Sequence, residues 1–196
     1  MLADQPSPVA TYAAEELVYH VKLATGAELS VVKESALPES HSGNRIFVGV
    51  TQAALAAGID PGDLGPDEFI LRTKGNDLFV MGREAHDFDP ARISIEPLSG
   101  SYNLERFNSY RGTMFGVTEV LDRFLGVRWL WPGEEDVIES KTLSIAPMEY
   151  RFHPSLRMRS TIIRANALLR VGISPGRADN DWYRYNRVLL DSLQLD

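Results

Sequence analysis

The residues best suited to chemistry begin with three consecutive acids, Glu134, Glu135 and Asp136. Acid–base catalysis by carboxyl groups uses them in pairs, one as proton donor and one as base or nucleophile, on opposite sides of a scissile bond. Neighbours in sequence do not flank a substrate, so this run is expected to be a solvated turn. Near it, Trp129 and Trp131 offer faces that stack on sugar rings. Two apart on a strand they would share a face, and their position between a helix and Pro132-Gly133 favours packing in a core or at a domain interface. Trp182 reads as helix packing. The stretch "HDFDPAR" sets His86, Asp87 and Asp89 close together as metal-ligand types, but a loop of this composition is more often only solvated. His20, His41 and His153 are scattered, and no HExxH pair is present. No G-x-S-x-G and no phosphate-cradling glycine loop occurs, so no cofactor or metal is implied.

Composition narrows the classes further. The chain has 196 residues, a net charge of −7 and no cysteine. Disulfides, thiolate catalysis and cysteine zinc sites are therefore excluded. The acidic balance argues against a broad nucleic-acid or anionic-membrane surface, which needs clustered cations. A local basic patch is available from Arg151, Arg157, Arg159, Arg164 and Arg170. No apolar run approaches the ~18 residues of a membrane span. The opening "MLADQPSPVATYAAEEL" lacks the basic and apolar regions of a signal peptide.

The elements that must position these residues follow from periodicity and punctuation. Residues 7–25 predict a helix capped by Ser7, with Pro8 in its first turn and Gly26 ending it. Strands are expected at 28–33 ("ELSVVK") and 45–50 ("RIFVGV"), the second buried on both faces, and a short helix over 51–58. Residues 67–73 and 77–83 surround Lys74-Gly75-Asn76 and predict a hairpin. Residues 84–110 lack periodicity and are long for a connection inside a compact domain, so they read as a functional or mobile insertion. Val117, Val120, Leu121, Phe124 and Leu125 give a helix over 113–125 one apolar face, with Glu119, Asp122 and Arg123 opposite. "VRWLW" and residues 142–154 read as extended, with a linker crossing at about 140–154. A strand over 155–163 and a helix over 180–196 complete the chain. The fold class is α+β: a mixed sheet of four or five strands packed by helices 8–25 and 113–125.

In order and spacing, "AAEEL…TGAEL", "RIFVG", "GNDLFVMGRE" and "RGTMFGVTEVLDRFLGVRWLWPGE" resemble the N-terminal α/β domain that precedes the catalytic barrel of bacterial α-glucuronidases and β-N-acetylhexosaminidases. The resemblance covers about residues 9–160. It is most specific in the block R-G-x-x-x-G-x-x-x-x-L-x-x-x-L-G-x-R-W-x-x-P, which ends at Pro132. It implies an accessory domain over 1–150, with the family's first strand absent or reduced to its tail. Residues 151–196 would begin a (β/α)8 barrel, which takes about 250 residues in full.

The chain would then be the front piece of a glycosidase whose catalytic acids lie elsewhere, inactive alone. Its partners would be the carbohydrate bound by that barrel and the barrel itself, with no nucleic acid or membrane partner. A periplasmic or extracellular setting is implied for the parent enzyme. In hexosaminidases the arginine matching Arg159, in "PSLRMR", binds sugar hydroxyls; a structural ion pair is the alternative, and Arg157 fits the pattern less well. The rival reading is a standalone module gripping glycan or protein through the 84–110 segment, with Tyr102, Phe107 and Tyr110.

Overall fold

The computed structural model describes residues 1–38, 41–84, 111–131, 134–140, 142–155 and 186. The body of the 84–110 segment and the expected elements at 155–163 and 180–196 lie outside these residues, apart from Glu84, Ser155 and Asn186. The fold is α+β with a mixed sheet. Helix α1 spans Pro8–Thr25. The Ser7 side chain accepts from the Ala10 N–H, and Gly26 closes the helix at φ 74°. Strand β1 (Arg45–Val48) follows, then α2 (Gln52–Ala56), which is capped by Thr51. Strands β2 (Phe69–Lys74) and β3 (Asp77–Gly82) pair antiparallel from Phe69↔Gly82 to Lys74↔Asp77, leaving a two-residue turn. Gly75 takes φ 60° there, as the first position of a type II′ turn requires. Helix α3 (Gly112–Leu125) ends in the left-handed Gly126, and β4 (Arg128–Trp131), β5 (Glu134–Asp136) and β6 (Glu149–Phe152) complete the order.

The sheet order is β1-β3-β2-β6, with β1 parallel to β3 and the other pairs antiparallel. Alternation along β1 sends Val48 to one face and Phe47 to the other. Val48, Leu71 and Val80 meet α1 and α3 in the larger core, while Phe47, Ile70, Phe79 and Met81 meet Ala54, Ile59 and Leu64 in a smaller one. Phe47 and Phe79 stack with ring centres 5.0 Å apart. Each such fully buried side chain is worth about 1.5–3 kcal/mol. Both long helices therefore share one face, and the other is covered by α2 and the chain that follows it.

Three expectations are corrected here. Residues 28–33 form no strand; they contribute a single parallel bridge, Leu2↔Lys33, and Leu29 and Val31 are exposed. Among the described residues, their neighbour on that side is the two-residue stretch Met1-Leu2. Met1 bonds Ile46 and Val48 of β1, while Leu2 bonds Val32 and Glu34. The stretch read as a linker at 140–154 contains β6, which forms an edge of the sheet. Glu119 does not lie on a solvated face of α3. Every residue from Gly112 to Leu121 is buried, because α1 covers one flank of the helix and the sheet the other.

The glycines of the "RG-x-x-x-G" block explain how α3 lies so near the sheet. A Cβ on Gly112 would collide with the Glu68 carbonyl oxygen, one on Gly116 would come within 2.8 Å of Val80 Cγ1, and one on Gly82 would collide with the backbone of Gly112. Here glycine is required by close approach of backbones.

Candidate functional site

Strand direction gathers one end of the sheet into a polar cluster. Phe69 pairs with both Gly82 and Phe152, so the start of β2 and the ends of β3 and β6 lie side by side. The residues just beyond them are Asp67 and Glu68, Arg83 and Glu84, and His153. Helix α3 begins at the same end, through Gly112 N–H to the Arg83 carbonyl at 3.0 Å and the bridge Glu84↔Arg111. The two ends of the 84–110 segment are thus joined to each other.

Glu68 is the centre of the cluster. It is only 4% exposed. Its carboxylate accepts from Arg151 Nη2 at 2.7 Å and from the Gly65 N–H at 3.1 Å, and it meets His153 Nδ1. Burial pushes the Glu68 carboxyl up, but the hydrogen bonds from Arg151, His153 and Gly65 outweigh it, and the group titrates at about 2. Beside it, buried Asp67 adopts φ 60° and accepts from the Arg111 N–H at 3.4 Å. Asp tolerates this left-handed conformation better than most residues. The Thr113 hydroxyl accepts from the Gly82 N–H and donates to the Glu84 carboxylate. That places a negative charge at the first turn of α3, where the helix dipole favours it.

This arrangement ties Glu68 to the chain on either side of the sheet end and does not suit it to act as a general acid. A glycosidase general acid needs a raised pKa. Glu68 is held in the opposite direction, with its lone pairs already committed to donors.

A second ionic contact involves one of the acids singled out in the sequence. Glu134–Asp136 are exposed, but they form β5 against β4, not the expected turn. Glu135 Oε2 lies 3.1 Å from Nε2 of His20, which is fully buried on α1. Trp129 and Trp131 do not share a fate. A register irregularity falls between them, Trp129 is buried edge-on to the His20 ring, and Trp131 is 37% exposed. The Trp129 carbonyl accepts from the side-chain amide of Asn186 at 3.1 Å.

Arg159, Arg157, Arg164 and Arg170 lie outside the described residues, as do Trp182, His86, Asp87, Asp89, Tyr102, Phe107 and Tyr110. His41 is exposed. Among the described residues no group of three or more His, Asp or Glu side chains is placed to hold a metal, and no helix is long and apolar enough to cross a membrane. Sequence reading puts Arg151 in a basic patch and His153 among scattered histidines, and it passes over Glu68. The available signal is the alternation Arg151-Phe152-His153, which puts the first and last side chains on one side of an extended chain.

Neither a family model nor a curated protein matches the sequence.

Proposed function

We propose that this chain is the non-catalytic N-terminal domain of a carbohydrate-active glycoside hydrolase of α-glucuronidase type. Its polar sheet end would hold the start of a (β/α)8 barrel. The reading rests first on the resemblance of the "RG-x-x-x-G…L-G-x-R-W" block and its neighbours. The observation that carries it is the Glu68 anchor: Arg151 and His153 are tied to a buried carboxylate just before the segment that resembles a first barrel strand. In this reading that ionic pin fixes the direction in which the following chain leaves the domain, and Arg159 on that strand faces the carbohydrate. The acids that cleave the glycosidic bond belong to later barrel strands.

The test is steady-state hydrolysis of a panel of aryl glycosides, including glucuronosides, by the purified chain. The expected outcome is no turnover above the buffer rate. Saturable turnover would contradict the reading. Saturable binding on a glycan array that is lost when residues 85–110 are replaced by a short loop would favour the standalone binding module instead.

A further inference from the structure

A neutral histidine has one donor and one acceptor nitrogen, and a charged one has two donors. His20 Nδ1 lies 2.8 Å from the Glu16 carbonyl oxygen, which can only accept, so Nδ1 carries a proton. Nε2 lies 3.1 Å from Glu135 Oε2. An ionised carboxylate also only accepts, so Nε2 carries a proton as well. With Glu135 ionised, both contacts are met at once only by a ring that holds two protons. Titratable groups facing it include Glu16 and Tyr19 from α1 and Glu135 from β5. Glu16 Oε2 is 3.6 Å from Nδ1, and the Tyr19 ring meets the imidazole edge-on at 4.9 Å. Burial, then the charges of Glu135 and Glu16, push the Tyr19 hydroxyl up, so it stays neutral. From β4 the ring is met by Trp129, which carries no charge, at 5.5 Å.

We propose that His20 and Glu135 form a proton-operated clasp. It fastens the β4–β5 hairpin to α1 while the ring holds two protons, and releases it when the ring loses one. The hairpin is a separate two-stranded sheet, and such ribbons are marginal without outside support. When the Nε2 proton leaves to solvent, a lone pair is left facing a carboxylate in a part-buried contact, and attraction becomes repulsion. The closed hairpin binds one proton more than the open one, so opening increases as pH rises, by up to about tenfold per pH unit. Opening would uncover Trp129, whose exposed neighbours Leu130 and Trp131 already extend an apolar surface.

The test uses the full chain. Amide exchange of residues 128–136, corrected for its intrinsic pH dependence, is followed from about pH 5 to about pH 8 while ¹H–¹⁵N spectra count the His20 ring protons. The wild type is expected to show two ring N–H protons at the acid end, and to lose hairpin protection by up to about tenfold per pH unit as one is lost. Glu135→Gln replaces a partly exposed side chain with an amide that can donate or accept, so it pairs with either ring form and should flatten the pH dependence. Three results would each overturn the clasp: a single ring proton throughout, hairpin protection that ignores the loss of the second proton, or a pH step that persists in Glu135→Gln.

Discussion

Burying a carboxylate is costly unless donors surround it, and Glu68 is met by Arg151, His153 and the Gly65 N–H. Its depressed titration makes a stability statement with a definite sign. The carboxyl goes from an ordinary 4.5 to about 2 in the fold, so its contribution is complete above about pH 4.5 and is lost as pH falls toward 2. Glu68→Gln should therefore cost about 1–3 kcal/mol near neutrality and reduce the chain's acid sensitivity in that window. Urea midpoints at about pH 7 and about pH 3 measure both effects; equal acid sensitivity in the two proteins would contradict the account. Little of this cluster is legible in the sequence. Glu68 and Arg151 stand 83 positions apart, and only the pairing of β2 with β6 brings them together. His20 is legible as a helix residue but not as an ionic one, since its partner comes from a hairpin 115 positions away.

At the scale of elements, local signals are read well and non-local ones poorly. Ser7, Pro8 and Gly26 delimit α1, and Gly75 turns the β2–β3 hairpin, through backbone requirements confined to a few neighbouring residues. The segment 28–33 has strand composition but, among the described residues, makes a single bridge, Leu2↔Lys33, and composition cannot report that. Residues 149–152 look like a connection because they carry no apolar run; two are exposed and two half-buried, and pairing with β2 is what makes them a strand. The outward face expected for Glu119 fails because α3 is enclosed from two sides, a matter of packing between distant segments.

The glycines at α1 and α3 separate two physical effects that a sequence shows as one letter. Gly26 sits at φ 74°, and a Cβ placed there would meet nothing within 4 Å, so Gly26→Ala should cost only the backbone strain, about 1 kcal/mol. Gly116 has Val80 in its path, and Gly116→Ala should cost about 1–3 kcal/mol through overpacking. Gly112→Ala meets the backbone carbonyl of Glu68, which cannot rotate away, and should be the most damaging of the three. Denaturant midpoints rank them directly; a Gly112→Ala protein as stable as Gly26→Ala would refute the close-approach explanation of the motif.

For the whole molecule, topology concentrates the open connections at one place. The 84–110 segment leaves and returns at the sheet end where β6 delivers the chain to residue 153, and Glu68 ties the elements there together. At the opposite end Arg45 and Asp77 form a bidentate pair, at 2.6 Å for each bond. The proposed function places catalysis beyond this sequence. The most direct test is the intact mass of the native protein that carries this sequence, captured from its source cells. The account expects a species larger than 21.9 kDa by about 200 residues or more, the part of a ~250-residue barrel that residues 151–196 would not supply. A native species of 21.9 kDa would contradict it.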